Sequence, residues 1–119
     1  MTTEQLNRLK DWETLWQELI AADHTAQGHL KSGEHFCVMG AACELYRRHH
    51  EEHARWDGNG FKEMPHVFAH RSKTPDRVLA WFGLNDTTEN DLMNANDGEG
   101  PYDALAALRN IIRQAKENE

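Results

Sequence analysis

Basic clusters are missing from this sequence. Its 13 Lys and Arg residues are scattered, and no run exceeds Arg47-Arg48. Twenty acidic residues bring the formal charge to -7. Binding to a phosphate backbone needs a basic face, so direct nucleic-acid binding is not expected. Long apolar runs are also missing. No stretch approaches the ~20 consecutive apolar residues of a membrane span. The opening Met1-Thr2-Thr3-Glu4-Gln5 has neither a basic region nor an apolar core of the signal-peptide kind. The expectation is a cytoplasmic protein that neither spans a membrane nor is secreted. Cysteine is scarce, with only Cys37 and Cys43. Six positions apart on a helix, their Cα atoms would stand on the order of 9 Å apart, beyond disulfide reach. Five intervening residues also miss the usual two to four of paired zinc ligands. Both read as reduced, buried thiols.

The chain does contain enough large apolar surface for one modest core. Its 119 residues include four Trp, four Phe and two Tyr, and 39% are hydrophobic. A single domain spanning residues 1–119 is expected. Leu6, Leu9, Trp12, Leu15, Trp16, Leu19 and Ile20 recur at three- and four-residue spacing, which predicts an amphipathic helix from about Thr3 to Asp23. Thr2 with Gln5 fits a capping box at its start. Gln27 to Gly33 reads as a loop or short extended piece. Phe36 to His49 reads as a second helix, closed by Arg47, Arg48 and His49 in its last turn. The small side chains of Gly40, Ala41 and Ala42 would let a neighbouring helix approach closely. Trp56-Asp57-Gly58-Asn59-Gly60-Phe61 has the composition of a hairpin tip, and Val67-Phe68 is a candidate short strand. Thr74-Pro75 predicts a helix start with Thr74 as cap and Gly83 as stop. A short helix should begin near Thr88, and Asn96-Asp97-Gly98-Glu99-Gly100-Pro101 reads as a turn. The last helix runs from about Tyr102, with Leu105, Leu108, Ile112 and Ala115 on one stripe. The fold class is mainly α (α+β): a compact bundle of about four to five helices with a small β-hairpin insertion.

Several segments together resemble a family of small phage and prophage proteins, largely uncharacterised. The resemblance is carried by Gln27-Gly28-His29-Leu30, by Ser32-Gly33-Glu34-His35-Phe36-Cys37-Val38-Met39-Gly40-Ala41-Ala42-Cys43-Glu44-Leu45, by Pro75, Val78, Trp81, Gly83 and Leu84, and by Leu92, Asn96, Asp97 and Gly98. Val38 stands where the family usually has a second cysteine. The resemblance implies a mobile-element origin and a compact cytosolic domain, without implying a reaction. Accessory proteins of this kind and size often antagonise host defence, by binding a protein partner or by sequestering a signalling nucleotide.

Three sets of residues could carry chemistry. Trp56, Phe61, His66, His70, Arg71 and Lys73 combine aromatic side chains with potential cations, the residue types that stack on a base and pair with a phosphate. Asn96 and Asp97 could orient a ligand from their turn. His49, Glu52 and His53 form an H-x-x-E-H arrangement which, on one helix face, would offer two zinc ligands and a general base. A solvated helix end explains the same three residues, and the chain is short for a metalloprotease cleft. No catalytic set and no cofactor is implied. The expected function is therefore capture of a small anionic, nucleotide-like ligand. The alternatives are direct inhibition of a host protein through an acidic surface and a small metal-dependent hydrolase. A homo-oligomer is compatible with all three, because Trp12 and Trp16 could fill the core or dock a second subunit.

Overall fold

A computed structural model describes residues 2–63, 74–98 and 100–117. The candidate residues His66, His70, Arg71 and Lys73, and the candidate strand Val67-Phe68, lie outside these described residues. The first helix, α1, spans Thr3–Ala21. Its capping box forms as the sequence suggests: the Gln5 amide donates to Thr2 Oγ1 at 3.1 Å, and the Thr2 amide donates to Gln5 Oε1 at 3.0 Å. The helix stops two residues before the expected Asp23, which adopts φ 59°. Trp12 and Trp16 are fully buried. Each indole N–H finds a backbone carbonyl, Trp12 on Val38 at 2.9 Å and Trp16 on Pro101 at 3.0 Å. The two rings thus fasten α1 to two other elements with no buried donor left unpaired. They are core residues and are not free to dock a second subunit.

Two short hairpins follow in the chain. In the first, β1 (Lys31–Ser32) pairs antiparallel with β2 (His35–Phe36), setting Lys31 opposite Phe36. The second, β3 (Ala54–Asp57) with β4 (Gly60–Glu63), is the expected one, with Trp56 opposite Phe61 and Gly58-Asn59 at its tip. The Gly33 amide donates to Asn59 Oδ1 at 3.3 Å, so the two tips touch.

Between the hairpins lies α2 (Val38–His49), whose residues from Val38 to Tyr46 are all buried. It begins two residues later than the sequence suggests, because Cys37 caps it: the Cys37 Sγ accepts from the Gly40 amide at 3.2 Å. Only Cys43 is therefore helical. At Gly40 the close neighbour is a loop and not a helix. A Cβ on Gly40 would lie 1.7 Å from the Leu30 carbonyl oxygen.

The remaining helices are α3 (Asp76–Phe82), α4 (Asp86–Gly98) and α5 (Pro101–Glu117). Pro75, not Thr74, is the N-cap of α3. Thr74 is buried, and its amide donates to Glu89 Oε2 at 3.0 Å. Gly83 ends α3 at φ 75°, in the left-handed conformation expected of a glycine stop. Helix α4 starts earlier than Thr88, because Asn85 Oδ1 accepts from the Thr88 amide at 3.0 Å. It also continues through Asn96-Asp97-Gly98, which is the end of a helix and not a free turn. Helix α5 packs along α1 and α4, while α2 lies against α1, α3 and α4. The core joins Leu9, Trp12, Trp16, Met39, Phe61, Phe82, Leu92 and Leu108. The architecture is mainly α with small antiparallel β insertions. Among the described residues no helix is long and apolar enough to cross a membrane.

Both cysteines are buried free thiols. Burial pushes the Cys37 thiol up to about 11, against hydrogen bonds from the Gly40 and Met39 amides that act in the opposite direction. In the native protein at pH 8, an aromatic disulfide reagent should label neither cysteine within minutes, whereas the unfolded chain should release two equivalents at once. A rapid native equivalent would contradict this packing.

Candidate groove between the two hairpins

Helix α2 carries Glu44, Arg47 and Arg48 near its C-terminal end, three and four residues apart, so they share one side. The Glu44 side chain is only 12% exposed, and its carboxylate is fully engaged. Arg47 donates through Nε at 2.8 Å and Nη2 at 2.9 Å, one bond to each oxygen. Arg48 Nε adds a bond at 2.9 Å, and the Trp56 indole donates at 3.0 Å from β3. Burial alone would raise the pKa of this carboxyl. The bonds from Arg47, Trp56 and Arg48, with the charge of Arg47, outweigh burial and bring it down to about 2. The fourfold cluster fixes the Trp56 ring on its polar edge.

Trp56 is held on its other sides by rings. Phe61 lies 5.1 Å from it, and Phe36 of β2 lies 5.7 Å away (centroid to centroid). The Lys31 ammonium stands 5.5 Å from the Trp56 centroid and 5.9 Å from that of Phe36. Lys31, Phe36, Trp56, Glu44 and Arg47, with residues of the α1 end and the first hairpin that include His24 and Glu34, line an open groove of about 520 Å³. That volume lies within the range of small-molecule sites. Arg47 is committed to Glu44, and His24 Nε2 lies 3.9 Å from a Glu34 oxygen. Among the described residues, Lys31 is in no ion pair.

The groove gathers only part of the sequence-derived set. Trp56 lines it. Phe61 is fully buried, sits beneath Trp56 and contacts Tyr46, so it supports the site without facing it. Asn96 and Asp97 are elsewhere and serve the fold. Asn96 Nδ2 donates to the Ala26 carbonyl at 2.9 Å, Asp97 Oδ1 accepts from the Gly28 backbone amide at 2.9 Å, and Gln27 Nε2 donates to the Asn96 backbone carbonyl at 2.8 Å. Together they clasp residues 26–28 against the end of α4.

The H-x-x-E-H segment is divided by the end of α2. His49 is the last helical residue, and His50 leaves the helix at φ -137°. His49 and His53 therefore do not share a helix face. His49 packs on Trp81 at 5.2 Å, and His53 Nδ1 lies 3.8 Å from Glu52 Oε1. Among the described residues, no group of three or more His, Cys, Asp or Glu side chains could hold a metal ion. A second groove of about 410 Å³ opens beside this segment, lined by Glu4, Asn7, Arg8, His49, His50 and Trp81. The guanidinium of Arg8 is already engaged: it lies 4.5 Å over Trp81, donates to the Trp81 carbonyl at 2.8 Å and pairs with Glu4 at 3.6 Å.

Lys31, Phe36, Glu44 and Arg47 line the groove without standing out in the sequence. The Glu44-x-x-Arg47-Arg48 spacing was a usable sign of a local ion-pair network. Nothing local announces that Lys31 and Phe36 would reach Trp56 from a separate hairpin. No curated protein and no solved structure matches this chain. Residues 14–115 match the model of a family described as a domain of unknown function, DUF8296, and the chain belongs to that family.

Proposed function

We propose that this protein is a non-enzymatic binding module that captures a small anionic, nucleotide-like ligand in the groove between its hairpins. Acting as a phage-type accessory protein, it would antagonise a host defence pathway by sequestering a signalling ligand of that kind. One observation carries the binding reading: Phe36 and Trp56 present an aromatic pair beside Lys31, the lining cation that no carboxylate holds among the described residues. Aromatic faces stack on bases, and an ammonium pairs with phosphate. The defence context rests on the resemblance to phage proteins. The formal charge of -7 also favours a second reading, direct inhibition of a host protein that uses a basic surface.

A thermal-shift screen of mono-, di- and cyclic nucleotides tests the first reading. A ligand present at about a hundredfold over its Kd stabilises by ~2.7 kcal/mol, which moves the melting temperature by several degrees in a domain of this size. Trp56→Ala should abolish that shift while retaining the helical circular dichroism of the wild type. Failure of every nucleotide to stabilise the protein at millimolar concentration would count against ligand capture. Salt-sensitive recovery of one host protein would then favour the second reading.

A further inference from the structure

Lys31 already occupies the aromatic pair that a ligand would need. Its ammonium lies over both Trp56 and Phe36 at cation–π distance. The two rings are inclined by 57°, so a planar group stacks on one of them at a time, and one that takes the ring face beneath the ammonium must displace it; there the free protein competes with its own ligand. The displaced ammonium then needs a new partner. Glu44 offers none, because its oxygens already receive Arg47, Arg48 and Trp56. The Glu34 side chain is 85% exposed, and an exposed carboxylate repays a lysine little.

We infer that Lys31 is the specificity-determining residue of the groove: it yields the ring face it covers, nearest that of Trp56, only to a planar ligand whose own anionic group receives its ammonium. This rests on the ligand-capture reading above and sharpens it to a ligand class. The groove should take nucleoside monophosphates and discriminate against the corresponding nucleosides, which must displace Lys31 without offering it a partner. The flexible lysine stem allows the ammonium to move from ring to phosphate while its β1 backbone stays paired with β2.

Calorimetric titration of adenosine, guanosine, cytidine and uridine, each with its 5′-monophosphate, tests the assignment. The proteins compared are wild type, Lys31→Ala and Lys31→Met, the last keeping an aliphatic stem over the hairpin. Wild type should bind at least one monophosphate and prefer it to its nucleoside. Both variants should bind the monophosphate more than about tenfold more weakly. They should bind the nucleoside about three- to tenfold more tightly, because the competing cation is gone. That opposite movement is the signature of exchange, and a merely structural role for Lys31 would weaken both ligands together. Equal factors for both ligands, or no change in either, would overturn the role of Lys31 while leaving capture intact. Failure of wild type and of both variants to bind any of the eight compounds would overturn the inference, while the capture reading falls only if the di- and cyclic nucleotides of the thermal-shift screen fail as well.

Discussion

Gly40→Ala should be strongly destabilising in this domain. A Cβ at position 40 would stand 1.7 Å from the Leu30 carbonyl oxygen, 2.6 Å from its carbon and 3.2 Å from the Leu30 Cα. These are backbone atoms, and no rotamer change can move them. The same Leu30 carbonyl accepts the Cys37 amide at 3.2 Å, and the Leu30 side chain is fully buried. Making room would break that bond, pull Leu30 from the core and disturb the Cys37 cap, a combination worth more than about 4 kcal/mol. Domains of this size have ~5–15 kcal/mol in total. The contrast is Gly98→Ala near the end of α4, where an added Cβ meets nothing within 4 Å. There the change should be neutral or stabilising by up to ~1 kcal/mol, as helix propensity dictates. Urea unfolding of the two variants beside the wild type measures both. A Gly40→Ala protein within 1 kcal/mol of wild type would mean that Leu30 does not cross α2 as described.

Glu44→Gln should destabilise by about 3 kcal/mol at neutral pH, with a pH signature that identifies the cause. The carboxyl is held at about 2 in the folded protein against an ordinary 4.5. The folded state therefore binds fewer protons than the unfolded state between these values. Stabilisation from this group is fully present above pH 4.5 and is lost as pH falls towards 2. Wild type should lose about 3 kcal/mol across that window from this group alone, and the variant should not show that loss. The gap between them should close as the solution is acidified. Arg47 and Arg48 retain 29% and 50% side-chain exposure, so they rehydrate when the carboxylate is removed. This keeps the cost below the value for a fully buried broken pair. The glutamine carbonyl can still accept the Trp56 indole, so the variant removes the charge-assisted bonds to Arg47 and Arg48 and leaves Trp56 its partner. A gap that stays constant from pH 7 to pH 2 would show that Glu44 acts by shape and not by charge.

Much of this architecture could be read from local chemistry. The α1 capping box, the α3 glycine stop and the β3–β4 tip are short-range patterns, and each formed where its residues indicated. The differences arise where distant partners decide. Asn96-Asp97-Gly98 has turn composition, yet it remains helical, with its side chains bonded to the backbone of residues 26–28. His49 to His53 has the spacing of a helical metal pair, but α2 ends inside the segment, and His50 instead stacks on Tyr46 at 4.0 Å. The β1–β2 hairpin consists of two-residue strands, too short for periodicity to reveal. Of the proposed site, only Trp56 was legible, because an aromatic at a hairpin turn stands out in the sequence. Lys31, Phe36 and Glu44 join it through pairings across two hairpins and a helix.

The central claim is that the groove holds a small anionic ligand. Native mass spectrometry of the protein purified from cells tests it most directly. The account predicts a population heavier than the polypeptide by the mass of a nucleotide-sized anion, absent from Trp56→Ala prepared in the same way. A bare polypeptide mass that no added nucleotide increases, or an adduct that survives Trp56→Ala undiminished, would contradict it.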